Sequence, residues 1–192
     1  MEGISKLLRT SGKRRSDETR QPYSVLPDGL RCRFSLAEIN TATNNFNDDL
    51  VIGEGGYGKV YKGFIDDPTS ISIAIKHVGI KSRKIFHELR TELLLLCQLH
   101  HPKLVPLIGY CLDDQLMILV YEFIPNGTLL KYLHFQEHDR DPLLWKQRLQ
   151  ICIGVAHALH YLRSRVKHSI IHCNVKTSNI LLDKKLDQFP SW

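Results

Sequence analysis

Eight residues constrain this chain more than any others: G-E-G-G-Y-G-K-V, running from Gly53 to Val60. Gly53, Gly55 and Gly58 stand at G-x-G-x-x-G spacing, and residues without a Cβ let backbone approach phosphate oxygens closely. Dinucleotide folds use the same spacing, but there the last glycine opens a helix and an acidic residue follows about 20 positions on. Neither condition holds here. Gly58 leads into Val60-Tyr61-Lys62-Gly63-Phe64-Ile65, which has strand composition, and no Asp or Glu lies between Pro68 and His87. With Leu50–Glu54 reading as the strand before it, the segment is strand, glycine turn, strand: a lid able to close over phosphate.

The next strand, Ile71–His77, alternates strictly, with Ile71, Ile73 and Ile75 on one face and Ser72, Ala74 and Lys76 on the other. Ala74 leaves room for a flat base, and Lys76 can reach phosphate oxygens. A helix is expected from about Arg83 to Leu99, carrying Ile85, Leu89, Leu93 and Leu96 as its apolar stripe. Glu92 lies at the edge of that stripe, where an inward-turned carboxylate needs a cation, and Lys76 is the candidate. Glu88 reads instead as part of a solvated face.

Upstream, Ser35 and Glu38 have capping-box spacing, with Phe34 and Ile39 as a hydrophobic staple. They predict a short helix over Leu36–Thr43 that ends in Asn44-Asn45. Residues 1–33 hold eight Lys/Arg against four acids, so most of the net charge of +6 sits there. That arm lacks apolar periodicity and is expected to be disordered. Its charge allows weak contact with an anionic membrane surface, and nothing in the chain points to nucleic acid. Glu2 occupies the position a myristoylated glycine would need. No apolar run reaches the roughly 18 residues of a membrane helix, and no signal peptide is evident. These features predict a cytoplasmic chain, with the inner face of the plasma membrane within reach of the arm. The five cysteines include no C-x-x-C, which fits reduced thiols, and His157 with His160 lack a third metal ligand at defined spacing.

Several motifs in register now carry a resemblance. G-x-G-x-x-G-x-V, I-A-I-K at Ile73–Lys76 and L-R-T-E at Leu89–Glu92 resemble the small lobe of a eukaryotic protein kinase. F-S-L-A-E-I-N-T-A-T-N-N-F at Phe34–Phe46, L-V-P-L-I-G-Y-C at Leu104–Cys111 and M-I-L-V-Y-E-F at Met117–Phe123 extend it. So do W-K-Q-R-L-Q-I-C-I-G at Trp145–Gly154 and V-K-T-S-N-I-L-L-D at Val175–Asp183. Together they are similar to plant receptor-like serine/threonine kinases of the malectin-domain (FERONIA-like) branch. The resemblance implies an α+β, protein-kinase-like fold: a complete five-stranded small lobe with its helix C over 46–124, and an incomplete, mostly helical large lobe over 125–192. The capped helix over 34–45 precedes them. It implies an ATP site roofed by Ile52, Gly53, Gly55, Gly58, Val60, Ala74 and Lys76. Tyr121 would be the gatekeeper and the backbone of Glu122–Ile124 the hinge. Lys76 and Glu92 would pair, and Asn179 would hold magnesium.

The sequence departs from that family in the catalytic loop. Active members read H-R-D-x-K-x-x-N, where the Asp accepts the substrate hydroxyl proton. Here the segment reads His172-Cys173-Asn174-Val175-Lys176-Thr177-Ser178-Asn179. His172, Lys176 and Asn179 match, Cys173 replaces the arginine, and Asn174 stands at the base position. An amide takes no proton near neutral pH, and losing a positioned base costs about 10²–10⁴ in rate, roughly 3–5 kcal/mol of barrier. No D-F-G or A-P-E occurs in the 192 residues, and Asp187 in L-D-Q-F lacks the following Phe-Gly. Weak or absent magnesium binding and a truncated large lobe are therefore expected. An apolar stripe of Trp145, Leu149, Cys152, Ala156 and Leu159 should then be partly exposed on its helix. Three readings stay open: an ATP-binding kinase relative with little or no activity, an active Ser/Thr kinase seen through an incomplete gene model, and a non-enzymatic decoy or scaffold that binds a receptor kinase or an effector protein.

Overall fold

The computed structural model describes residues 32–55, 58–65, 71–79, 90–91, 93–113, 116–134, 142–166, 169–183 and 188–190. Its centre is a twisted sheet. The strands are β1 (Cys32–Arg33), β2 (Val51–Gly55), β3 (Gly58–Ile65), β4 (Ile71–Gly79), β5 (Leu107–Asp113) and β6 (Leu116–Glu122), in the order β1-β5-β6-β4-β3-β2. Five of these are the expected antiparallel strands, and β1 is a sixth, paired parallel with β5 through Cys32–Gly109 and Arg33–Tyr110. This corrects the expected disorder at residues 32–33; the rest of the arm lies outside the described residues. β5 is an edge whose backbone groups need partners, and the last residues of the arm supply them, with Phe34 N–H continuing the ladder to Tyr110 C=O at 2.9 Å.

Both faces of the sheet are covered. α1 (Leu36–Ala42) lies on the outer face, where Ile39 packs with Tyr61, Ile73, Ile75, Cys111, Ile118 and Val120. The capping box forms as read: Glu38 N–H donates to Ser35 Oγ at 3.2 Å, and Ser35 N–H donates to Glu38 Oε2 at 2.7 Å. Gly63 makes the close approach possible, because a Cβ there would stand 2.8 Å from Ile75 Cδ1 and 3.0 Å from the Ala42 carbonyl. Beyond the helix, Asn44, Asn45 and Phe46 all have left-handed φ, at 47°, 54° and 56°. The buried Thr43 hydroxyl accepts Phe46 N–H at 3.1 Å, and the Phe46 ring packs edge-on against Tyr61 and His77.

The inner face meets α2, described as helical at residues 90–91 and 93–96. The expected end at Leu99 is corrected here. Gln98 and Leu99 bond to the carbonyls three residues back, a tightened turn that stops the helix after Leu96. Leu93 and Leu96 are buried as the stripe required, whereas Ile85 and Leu89 lie outside the described residues.

The large-lobe portion holds α3 (Leu129–His134), α4 (Trp145–Ser164), β7 (Ile180–Leu182) and β8 (Gln188–Pro190), which pairs antiparallel with β7. Ala158 and Leu162 of α4 join the inner cluster of the sheet, while Ile151 and Val155 pack with Leu129, Leu143, Ile180 and Leu182. Of the expected stripe, Trp145 (80% exposed), Leu149 (50%), Cys152 and Ala156 stand open, whereas Leu159 is half-buried against the Leu129 cluster; Ile153, 47% exposed, also lies on the open side. Among the described residues no helix is long and apolar enough to cross a membrane.

Candidate functional site

The roof of the site comes from β2, β3 and β4. The β2–β3 register runs from Val51–Tyr61 to Gly53–Val60, Glu54–Lys59 and Gly55–Gly58, with a bulge between Val51 and Gly53. That extra residue is Ile52, pushed out and exposed. The three lid glycines differ in kind. Gly58 has φ +119°, and a Cβ there would collide with the backbone carbonyl of His77, so the chain itself demands glycine. A Cβ on Gly53 would only touch Val60 Cβ at 3.9 Å, and one on Gly55 would meet nothing within 4 Å. Gly55 therefore leaves open backbone, the room a phosphate needs.

Cross-strand pairing fixes the rest of the roof. Lys76 stands between Val60 on β3 and Leu119 on β6, and Ala74 stands between Lys62 and Tyr121. Paired residues share a face, so Val60, Ala74 and Lys76 look the same way as the buried Leu119 and Tyr121. The strand then runs out through Glu122 to Ile124. Glu122 N–H donates to the Pro106 carbonyl at 3.0 Å, which ties the segment expected to be the hinge to the start of β5. Glu92 lies outside the described residues, and so do Glu88 and Asp187.

Below the hinge, the loop from Ile170 to Asn179 is closed on itself. Ile170 N–H bonds to Leu162 C=O at 2.8 Å, tying the loop to the end of α4. His172, 4% exposed, accepts Asn174 N–H at Nδ1 (3.3 Å), and Asn179 Nδ2 donates to the Asn174 carbonyl at 3.0 Å. Cys173 is exposed with φ +58°, so its side chain leaves the loop while its neighbours are held. Lys176 is exposed and precedes the short 3-10 turn Thr177–Asn179. Asn179, named above as the residue the resemblance gives to magnesium, is thus held to the loop through its amide nitrogen. Among the described residues no group of three His, Cys, Asp or Glu is placed to hold a metal ion.

Sequence reasoning also passed over Leu181. Leu181 packs in the same apolar cluster as Ala74, Tyr121 and Ile124, whereas Ile180 and Leu182 turn into the large-lobe cluster. The alternation within Ile180-Leu181-Leu182 was the available signal, although a run of three apolar residues does not say which one faces the cleft.

A family model described as protein tyrosine and serine/threonine kinase matches residues 47–188. Among curated proteins, the receptor-like protein kinase FERONIA of Arabidopsis thaliana is 47% identical over 176 residues, covering 92% of this chain and 19% of its own length. THESEUS 1 of the same plant is 44% identical over 184 residues, covering 96% of this chain and 21% of its own length. ANXUR2, also from that plant, is 48% identical over 161 residues, covering 84% and 18%. The chain thus spans about a fifth of the length of the curated relatives it matches. A solved apo pseudokinase superposes with a TM-score of 0.71 at 23% identity, covering 92% of this chain and 63% of that one, which shows the shared fold.

Proposed function

Because the chain belongs to the protein tyrosine and serine/threonine kinase family, and within it resembles FERONIA-like plant receptor kinases, we propose that it is an ATP-binding, kinase-like module that transfers phosphate poorly or not at all. One contrast carries the reading: Gly53, Gly55, Gly58, Ala74 and Lys76 lie on three paired strands in the family's order, whereas Asn174 stands where active members carry the base Asp.

In this reading Ile52, Val60 and Ala74 cover the base, Leu181 lies beneath it, and Tyr121 closes the back. The Glu122 carbonyl and Ile124 backbone bond to the base edge. Gly53, Gly55 and Gly58 bring lid amides to the phosphates, whose charge the Lys76 ammonium offsets, with Glu92 orienting Lys76. When bound, ATP supplies the transferable phosphoryl group. Lys176 would neutralise charge on that group, and Asn179 would be the residue that holds magnesium. Asn174 can orient a hydroxyl through its amide but cannot accept its proton, so the barrier stays higher by roughly 3–5 kcal/mol. The site residues would work in the cytoplasm, the side of the membrane on which receptor kinases keep their kinase domains.

Thermal-shift titration with ATP, with and without magnesium, tests the pocket. A stabilisation lost in Lys76→Met supports it, and no response at millimolar nucleotide sinks it. Radiolabelled phosphate transfer above background, abolished by Lys76→Met, would overturn the inactivity.

A second reading, a docking chain independent of nucleotide, is favoured by the exposed Trp145, Leu149 and Ile153 on α4. Pull-down with a FERONIA-like kinase domain discriminates it: binding should fail in Trp145→Ala and ignore ATP.

A further inference from the structure

The exit from the hinge is fastened to β7 by a short ladder that the phosphate chemistry does not use. Asn126 N–H donates to the Leu182 carbonyl at 3.1 Å, and Leu182 N–H returns to the Gly127 carbonyl at 2.9 Å. Thr128 bridges Leu181 in antiparallel fashion. One side chain joins this ladder: Asn126 Nδ2 donates to the Asp183 carbonyl at 2.6 Å, in partly buried surroundings. Gly127, with φ +72°, turns the chain so that the ladder can close.

The position asks for a short side chain with an N–H donor, because its target is a carbonyl oxygen and its own backbone N–H is already engaged. Asp has the shape without the donor, and Ser has a shorter reach. What the ladder holds is β7. Of its three residues, Leu181 alone belongs to the apolar cluster that Ala74, Tyr121 and Ile124 share, and Asn179 directly precedes the strand. The presentation of Leu181 to that cluster thus depends on how tightly the hinge exit grips Leu182 and Asp183.

We propose that Asn126 is a positioning residue of the nucleotide cleft, holding Leu181 at the depth where a planar purine base fits between it and Ala74. This rests on the nucleotide reading given above. Because Asn126 acts on the floor, its loss should weaken whatever carries the base and spare whatever binds through phosphate alone.

The test is calorimetric titration of the wild-type chain, Asn126→Ala and the near-isosteric Asn126→Asp with adenosine, ATP and inorganic tripolyphosphate, well below the unfolding temperature. Adenosine and ATP are expected to weaken about tenfold in both variants, the equivalent of one lost hydrogen bond, with tripolyphosphate unchanged. In the unmodified chain, adenosine should slow exchange of the Leu182 amide hydrogen and tripolyphosphate should not, a readout that needs no variant to fold. Unchanged adenosine affinity in variants with a lowered melting temperature overturns the assignment and leaves the nucleotide reading intact. Equal loss of adenosine and tripolyphosphate also overturns it. A wild-type chain that binds none of the three overturns the nucleotide reading, and this assignment with it.

Discussion

β6 and α4 are both rich in apolar residues, yet they are buried in different ways. In β6, five consecutive residues from Met117 to Tyr121 are at most 8% exposed, because Met117, Leu119 and Tyr121 face the inner cluster while Ile118 and Val120 face the outer one. In α4, Ile151, Val155, Ala158 and Leu162 are buried, but Trp145, Leu149 and Ile153 on the other side stand open. An apolar run records how many layers an element can serve. Which of those layers is present depends on the neighbours.

The largest expected effects separate these two situations. Ile118→Ala in β6 and Leu162→Ala on the buried face of α4 should each cost about 2–5 kcal/mol of unfolding free energy. Trp145→Ala, despite removing a larger side chain, should stay within about 0.5 kcal/mol, as for other exposed positions. Urea denaturation of the three variants measures this directly. A loss above about 1 kcal/mol for Trp145→Ala would mean that the open face is covered in solution.

The same distinction recurs within the glycine loop on a smaller scale. Gly58→Ala forces a side chain into a left-handed backbone and against the His77 carbonyl, so a cost of at least about 1–3 kcal/mol is expected. Gly55→Ala, with open space around it, should leave the melting temperature of the free chain nearly unchanged while weakening triphosphate binding. If the two variants melt alike, Gly58 does not have a left-handed backbone against the His77 carbonyl.

Local signals were legible and distant ones were not. The Ser35–Glu38 box, the alternation of β4 and the two strands flanking the glycine turn each depend on residues a few positions apart, and each formed as read. The order of β2, β3 and β4 followed, because antiparallel pairing of adjacent strands carries one reading to the next. Residues 32–33 joining the sheet could not be read, since their partners Gly109 and Tyr110 are far along the chain and no side-chain pattern marks a two-residue strand. Asn126 binding Asp183 is hidden for the same reason, at a separation of 57 residues. The buried face of α4 was missed in favour of the stripe through Trp145, because a helix apolar on two sides does not say which side is covered.

Ser35→Ala sharpens the role of α1 as cover for the outer face. Losing the hydroxyl that accepts Glu38 N–H should cost about 1 kcal/mol, within the usual range for a lost helix cap. Because Ile39 is 1% exposed and packs on the sheet, the loss should appear in global unfolding and not only as fraying of the helix. Hydrogen exchange at Ile73 and Ile75 that stayed at wild-type rates in this variant would show that α1 is dispensable to the face it covers.

The smallest effect concerns acid, and it falls on the junction between the two regions. His101, in the turn after α2, stacks on Tyr161 of α4 with ring centroids 4.8 Å apart, and its Nδ1 accepts Lys103 N–H at 3.1 Å. Burial holds its pKa below the ordinary histidine value of 6.5, and the charges of His157 on α4 and of Lys103 push the same way. A depressed histidine binds its proton more readily in the unfolded chain. Its contribution is therefore complete above pH 6.5 and is lost as pH falls through 6.5 toward the lowered folded value. Protonation at Nδ1 would also replace an acceptor with a donor facing the Lys103 amide. His77, depressed by burial, has the same sign. The urea midpoint should thus fall between pH 7.5 and 5.5, and His101→Gln should flatten that fall without abolishing it. An unchanged slope in His101→Gln, with a wild-type His101 titrating at or above 6.5 by NMR, would place the acid sensitivity elsewhere and leave the Tyr161 contact a purely apolar one.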